Sequence, residues 1–302
     1  MPSRVRGMKR KVQEWLFELW PRSGTVTYRI GRYNLEIPRN HKLPLYQARN
    51  ELYDRFPSFL GRHLPQGIII DIGANIGDTA AAFATVTPNP ILCVEPDGVF
   101  FELLRRNCQQ IAAEGRTIRC MRHGVGLRST SGYMNRTEST ANFVADPIGP
   151  LTLVPLDEVL RLAAMNENSV SLLKVDTDGH DGAVLLSGKQ LIRTFQPIIF
   201  FEADFRTDNQ LWQMEEALSF LQETGYVQVT VFDNFGNVML HEANFEIVAQ
   251  LTRYCRRQNI GRATRSVFYL DLLLSPKQSR LAHVAAVNDF IRYSESPSSF
   301  RC

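Results

Sequence analysis

The chain has 302 residues and a net charge of +3, and its hydrophobic and charged fractions, 44% and 22%, are ordinary for a globular protein. This balance excludes a disordered or collagen-like chain, and no apolar run approaches the length of about 18 residues that a membrane span needs. Six basic and two acidic side chains fall in residues 1–22, so the remaining body is close to neutral, which argues against a nucleic-acid partner.

The N-terminal part, residues 1–59, is predicted to form a helix and hairpin extension. Apolar residues from Met8 to Trp20 follow a helical spacing behind a basic start. This helix either docks on the domain or makes a peripheral contact with a membrane surface or a partner. Residues 25–37 predict a hairpin that turns at Gly31, and a short helix is expected around residues 45–56.

The segment 60–276 alternates strand-like and helical patterns. The runs GIIIDIG, ILCVEP, VSLLKVD and PIIFFEAD are apolar on both faces, as parallel strands covered by helices require. The alternation predicts an α/β fold with a doubly wound, mostly parallel sheet. The run YVQVTVFDNFGNVML, a helix around residues 242–257 and the strand SVFYLDLLL predict an antiparallel addition at the sheet edge. Residues 277–302 predict one helix, at 281–293, and a loose tail.

The first candidate site is the sequence DIGANIGDT, where the first apolar strand turns into a helix. Glycines allow a sharp turn and a close approach of the backbone to a ligand, and the helix start offers free N–H groups. The spacing is G-x-x-x-G and not the G-x-G-x-x-G of dinucleotide-binding proteins. A purely structural turn is the alternative. The candidate cofactor-binding residues of this loop are Asp71, Gly73, Asn75, Gly77 and Thr79.

The second candidate is Glu95, which ends the next apolar strand and is followed by Pro96. In a doubly wound sheet this strand lies beside the first, so the Glu95 carboxylate is expected to reach the same crevice. A carboxylate there suits the two hydroxyls of a ribose. The alternative is a surface acid that caps the next helix.

The third candidate is KVDTDGHD, which follows a further strand. Asp176, Asp178 and His180 could be read as the first ligands of a calcium loop, but Asp181 stands where such a loop needs glycine and Ser187 where it needs glutamate. Histidines and cysteines are not spaced for zinc either, so no catalytic metal is expected. Asp181 is expected to cap the next helix, and Asp176 to face the ligand.

The strings IIIDIGANIGDT, VEPD and LLKVDTDGHDGAVL, in this order, resemble the motifs of FkbM-type methyltransferases, a class of S-adenosylmethionine-dependent enzymes. The resemblance covers roughly residues 65–205. It implies a class I methyltransferase fold, a Rossmann-like sheet of seven strands, with S-adenosylmethionine as cofactor. It also implies methylation of a hydroxyl on a small molecule such as a sugar, a glycolipid or a polyketide-like acceptor. On this chain, Gly73–Gly77 and Glu95 would bind the cofactor, with Asp176 near it.

An alcohol is a poor nucleophile, so methyl transfer to it calls for a base as well as a collinear arrangement of the reacting atoms. His180 is the first candidate because the pKa of histidine lies near neutrality. Asp178, Asp181 and Glu202 are alternatives. The family often has Glu-Gly-x-Glu where this chain has Asp178-Gly179-His180-Asp181, which leaves the role of His180 open.

Two other functions fit the pattern less well. The missing G-x-G-x-x-G argues against a nicotinamide-dependent oxidoreductase, and the intact motif residues argue against a catalytically silent scaffold. Five cysteines without paired spacing, and no apolar signal segment, predict a cytoplasmic location. Residues 1–59 and the loops at 124–150 are expected to build the acceptor pocket, so deleting the former should spare cofactor binding and abolish transfer. The sequence carries no signal for an oligomeric state.

Overall fold

The structure is a computed structural model and describes residues 24–136, 139–165, 169–204, 206–260 and 267–296. The predicted basic helix before residue 24 and the loose tail after residue 296 lie outside the described residues. Within those residues, no helix is long and apolar enough to span a membrane.

The secondary structure alternates along the chain, as the apolar runs predicted. The strands are β1 (Thr25–Ile30), β2 (Tyr33–Pro38), β3 (Ile68–Ile72), β4 (Ile91–Val94), β5 (Ile118–Met121), β6 (Gly124–Val125), β7 (Ser131–Arg136), β8 (Ala141–Ala145), β9 (Leu151–Val154), β10 (Val170–Val175), β11 (Ile198–Ala203), β12 (Tyr226–Asp233), β13 (Val238–Ala243) and β14 (Leu270–Pro276). The helices are α1 (Leu43–Arg49), α2 (Phe56–His63), α3 (Asp78–Val86), α4 (Gly98–Ala113), α5 (Leu156–Leu162), α6 (Asp181–Leu186), α7 (Lys189–Phe195), α8 (Asp208–Glu223), α9 (Phe245–Asn259) and α10 (Arg280–Glu295).

The main sheet has eight strands in the order β13-β12-β14-β11-β10-β3-β4-β5. Strands β11, β10, β3, β4 and β5 are parallel neighbours, whereas β14 runs antiparallel between β11 and β12. The predicted class, an α/β fold with a doubly wound and mostly parallel sheet, is confirmed. The sheet has one strand more than the expected seven, because the hairpin after α8 adds β13 at the edge.

The two central strands bury side chains on both faces. Every residue of β3 and β10 is buried. Successive side chains of a strand point to opposite faces, so Ile70 and Leu173 pack into one core while Ile69 and Leu172 pack into the other. The chain leaves β3 toward β4 and β5 and returns to β10 on the other side, which opens a crevice at the carboxyl ends of the strands.

A second sheet, called here the small sheet, consists of β6, β9, β7 and β8 in that order. The amino-acid sequence of this region predicts only loops, at residues 124–150. Strands β7 and β8 are mostly half-buried or exposed, so they lack the apolar alternation by which a strand is recognised from sequence.

The segment before β3 belongs to the core of the domain. The predicted hairpin is confirmed, with Gly31 in the turn at φ +55°. One short helix was expected next, but α1 ends at Arg49 and a second helix begins at Phe56. Pro44 and Pro57 each stand in the first turn of their helix, where proline is best accommodated.

Phe56 ties this segment to the sheet and to the last helix. Its ring centroid lies 5.4 Å from Phe200 of β11, 4.6 Å from Phe232 of β12 and 5.4 Å from Phe290 of α10. Deleting residues 1–59 would therefore remove part of the hydrophobic core. Such a deletion is therefore expected to destabilise the fold in addition to abolishing transfer.

We expect Phe56→Ala to lower the free energy of unfolding by about 3–5 kcal/mol, because it leaves a cavity among the three rings of Phe200, Phe232 and Phe290. Urea denaturation measures this loss. Leu281→Ala is the control, since Leu281 of α10 is 86% exposed and should change stability by less than about 0.5 kcal/mol. Equal small losses in both variants would mean that Phe56 is not part of the core.

Candidate active site

A cavity of about 1430 Å³ lies over the carboxyl ends of β3, β4, β10 and β11, with walls from the N-terminal segment and the small sheet. The fold brings residues of all three sequence motifs to this one cavity. The predicted site residues that line it are Gly73, Asn75, Thr79, Glu95, Pro96, Asp176, Asp178 and His180. Two of the predicted residues, Asp71 and Gly77, do not line it.

The glycines of the first motif are required by close backbone packing. Gly73 has φ +80°, and a Cβ there would lie 1.8 Å from the carbonyl oxygen of Asp176. Gly77 has φ +87° at the start of α3, where a Cβ would lie 2.9 Å from the side chain of Leu104. Both φ values favour glycine, so these residues let the loop cross close to the neighbouring strand end. Gly77 faces the protein interior, which is why it does not reach the cavity.

Asp71 lies beneath the floor of the cavity and pairs with Lys174, which lines it. The two residues lie opposite each other in the β3–β10 register, both are buried, and Lys174 Nζ is 3.2 Å from Asp71 Oδ1. Lys174 Nζ is also 3.3 Å from Asp176 Oδ2 at the cavity surface. Burial alone would lower the pKa of Lys174, but the charges of Asp71, Asp176 and Asp78 together raise it well above its usual value. Asp71 therefore does not contact a ligand in the cavity, contrary to the prediction from the sequence. Its carboxylate lies below the floor and balances the charge of the Lys174 ammonium.

Lys174 was not singled out from the sequence, although a signal for it exists. It stands within the apolar run LLKV, and a lysine in a strand covered on both faces needs a buried acidic partner.

The Glu95 carboxylate is held by two backbone donors. Its Oε2 accepts a hydrogen bond from the Asn75 N–H at 2.9 Å, and its Oε1 accepts one from the Asp97 N–H at 2.8 Å. Burial raises the pKa of Glu95 to about 7, against the opposing effect of these two donors. The cap of α4 is Asp97, which accepts from the N–H groups of Val99 and Phe100. Glu95 is thus not the helix cap, and each of its oxygens keeps the capacity to accept a further hydrogen bond.

The third motif presents two carboxylates of different character. Asp176 is half exposed and touches Lys174, as described above. Asp178 has φ +52°, lies 3.6 Å from Arg206 Nη2, and has its pKa raised by burial to about 7.

His180 lies next to these carboxylates on the cavity wall. Its pKa is lowered, first by burial and then by the charge of Arg206, so the ring is neutral at pH 7. Asp181 does not cap α6 as expected. It is the first helical residue, and its fully buried carboxylate accepts hydrogen bonds from the Thr177 hydroxyl at 3.1 Å and the Thr177 N–H at 3.4 Å. Asp181 therefore stabilises the turn below His180.

The far end of the cavity combines aromatic rings with carboxyl groups. Glu202 of β11 and Asp271 of β14 stand directly opposite each other in the strand register. Burial, and next the charge of Asp176, raises the pKa of both carboxyl groups well above their usual values. The aromatic residues of this end are Tyr53, Phe56, Phe200, Phe232, Phe235, Phe268 and Tyr269. Among these residues, only Glu202 is predicted from the sequence, as an alternative base. Among the residues that the structure describes, no group of three or more His, Cys, Asp or Glu side chains is placed to hold a metal ion.

A family model described as the methyltransferase FkbM domain matches residues 71–227, just over half of the chain. The chain also aligns with solved structures at low identity. One is the methyltransferase FkbM from Methylobacillus flagellatus KT, at 14% identity and a TM-score of 0.42, covering 70% of this chain and 44% of that one. The chain thus spans less than half the length of that protein.

Two further solved structures show a similar degree of likeness. The O-methyltransferase from Bacillus cereus in complex with SAH gives 10% identity and a TM-score of 0.43, over 73% of this chain and 80% of that one. TYW2 of M. jannaschii in complex with AdoMet gives 8% identity and a TM-score of 0.41, over 85% and 89%. No curated protein matches the chain.

We expect Lys174→Met to destabilise the fold by about 3–5 kcal/mol, because it leaves the Asp71 charge buried without a partner. Urea denaturation measures the loss. The double variant Lys174→Met/Asp71→Asn should recover part of it, since the unpaired charge is then removed. Lys277→Met, at an exposed position, is the control. A Lys174→Met protein as stable as this control would show that the pair does not hold the floor of the cavity.

Proposed function

Because the chain belongs to the FkbM methyltransferase family, we propose that it transfers the methyl group of S-adenosylmethionine to a hydroxyl group of a small acceptor, such as a sugar, a glycolipid or a polyketide-like molecule. The observation that carries this proposal is the continuity of the cavity. One space joins the glycine loop and Glu95 to the neutral ring of His180 and to an aromatic, carboxylate-lined end.

The residues at the glycine-loop end suit the cofactor. We propose that Glu95 accepts hydrogen bonds from the ribose hydroxyls through the lone pairs left free by Asn75 and Asp97. Gly73, Asn75, Thr79 and Pro96 would form the wall around it. The cofactor supplies a methyl group on a positively charged sulfur. Nearby carboxylates such as Asp176 favour that charged form over the product, whose sulfur is neutral.

The residues at the far end suit a polyhydroxylated acceptor. Tyr53 and Tyr269 offer flat apolar faces and Glu202 and Asp271 offer hydrogen-bond acceptors, which together match the apolar and hydroxyl-bearing parts of a sugar ring. We propose that the chain consists of an extension, residues 1–59, a catalytic domain, residues 60–276, and a C-terminal segment, residues 277–302. The described part of the extension, residues 24–59, forms one wall of this end of the cavity.

We propose that His180 takes the proton of the acceptor hydroxyl. It faces the cavity and is neutral at pH 7, as a base must be. Asp178 and Glu202 also line the cavity and are the alternatives. Asp181 does not line the cavity, and its carboxylate accepts a hydrogen bond from Thr177, so Asp181 is not a candidate for the base.

An acceptor screen tests the function directly. The protein is incubated with labelled S-adenosylmethionine and panels of sugars, glycolipids, polyketide-like alcohols and amines, and the labelled product is identified. Transfer to a hydroxyl supports the proposal. Transfer to nitrogen or carbon acceptors alone contradicts it.

Cofactor affinity should depend on pH through Glu95. Its pKa is about 7, and ribose hydroxyls donate to the ionised form, so a proton must leave before binding when the pH is below 7. We expect the affinity for S-adenosylhomocysteine to fall by up to about tenfold per pH unit below 7 and to level off above it. Titration calorimetry across this range measures the effect.

Two variants check that Glu95 is the cause. Glu95→Ala should weaken binding by about 1–3 kcal/mol, and Glu95→Gln should also remove the pH dependence. An unchanged pH dependence in Glu95→Gln would assign it to another group. Tight binding of NAD with none of S-adenosylhomocysteine would contradict the cofactor assignment itself.

His180→Ala should lower kcat strongly and leave cofactor affinity nearly unchanged, because the base acts on the chemical step. Since the pKa of His180 is lowered below 6.5, the wild-type rate should stay flat around pH 7 and fall only on further acidification, when the ring gains a proton. Rate measurements over pH with the identified acceptor check this. A full kcat in His180→Ala would move the role to another group. If the rate of the His180→Ala variant still falls when the pH is lowered through about 7, the base would be Asp178, whose pKa is about 7.

A further inference from the structure

His41 lies between the hairpin and α1, at the edge of the cavity that contains the glycine loop. It is 6% exposed, and its ring packs edge-on against Phe100. Its Nδ1 accepts a hydrogen bond from the Leu43 N–H at 3.3 Å, so in the neutral ring the proton is on Nε2. Burial lowers the pKa of His41 to about 4, which keeps the ring neutral at pH 7. The ring therefore offers one N–H donor.

Asn75 lines the same cavity, and an interaction with its side chain opposes the lowering of the His41 pKa by burial. Asn75 Nδ2 donates to the Ser139 carbonyl at 2.9 Å, which leaves Oδ1 as its acceptor, and the residue after His41 bonds to the same Ser139. Both His41 Nε2 and Asn75 Oδ1 are buried and have no hydrogen-bond partner among the described residues. A buried donor and a buried acceptor without partners are each costly, so there is a driving force for the two to close into one hydrogen bond.

The backbone of Asn75 is one of the two donors that hold the Glu95 carboxylate. Asn75 has φ +48°, a left-handed conformation that asparagine adopts more readily than most other residues with a side chain. In this conformation its N–H donates to Glu95 Oε2 at 2.9 Å. We infer that His41 is a positioning residue of the cofactor site: its Nε2–H holds the Asn75 side chain, and Asn75 in turn orients Glu95 toward the cofactor.

A hydrogen bond of Lys42 also brings the N-terminal segment close to Asn75. The Lys42 N–H donates to the Ser139 hydroxyl at 2.8 Å, so the N-terminal segment and the small sheet meet over Asn75. Residues 24–59 then act on cofactor binding as well as on the acceptor pocket. This differs from the expectation that removal of residues 1–59 spares cofactor binding.

Binding of S-adenosylhomocysteine, measured by titration calorimetry, tests the inference and does not depend on the acceptor. His41→Phe keeps a ring against Phe100 but lacks the donor, and it should raise the Kd about tenfold, the factor that corresponds to one hydrogen bond. His41→Gln carries an amide N–H and should recover most of the affinity. His283→Phe is the matched control, because His283 is also a buried histidine but does not line the cavity. It should leave the Kd unchanged even if it lowers the melting temperature.

A double-mutant cycle distinguishes positioning from direct contact with the cofactor. If His41 acts through Asn75, the variant His41→Phe/Asn75→Ala binds no more weakly than Asn75→Ala alone. Additive losses would overturn the positioning role, because the ring would then act independently of Asn75. A wild-type Kd in His41→Phe, or an equal loss in His283→Phe, would overturn the inference altogether.

Discussion

The buried ion pair of Asp71 and Lys174 sets the geometry on which the rest of the site depends. It joins the two central strands at the point where the chain order reverses, directly below the cavity. A charge pair in such a place is stable only with close contact, which fixes the register of β3 against β10. That register brings the Gly73 backbone against the Asp176 carbonyl, so the first and third motifs form one floor.

The cavity above this floor has two chemically distinct ends. At the glycine loop, backbone N–H groups hold a single carboxylate, Glu95, and leave it capacity for hydroxyl groups. At the other end, carboxyl groups lie among aromatic rings, and burial followed by the charge of Asp176 raises the pKa of Glu202 and Asp271. His180 lies between the two ends in its neutral form. This arrangement is consistent with a positively charged methyl donor on one side and a hydroxylated acceptor on the other.

The N-terminal segment and the small sheet complete the cavity from outside the central sheet. Phe56 packs into the core beneath the acceptor end, while Lys42 and Asn75 both bond to Ser139 above the cofactor loop. The walls that would select the acceptor are thus connected to the residues that would hold the cofactor. A change in the segment around His41 or Phe56 is therefore expected to affect fold stability and both binding ends.

The parallel strands, the hairpins, the glycine loop and Glu95 can be predicted from the amino-acid sequence, because each is encoded in a short run: a strand buried on both faces is apolar throughout, and a strand-to-helix turn of this kind requires glycine. The pairing of Lys174 with Asp71, the meeting of Lys42 and Asn75 at Ser139, and the opposition of Glu202 and Asp271 follow only from the assembled fold. The partners in these contacts lie far apart in the chain. The small sheet also follows only from the assembled fold, because its half-exposed strands lack the apolar alternation that marks a strand.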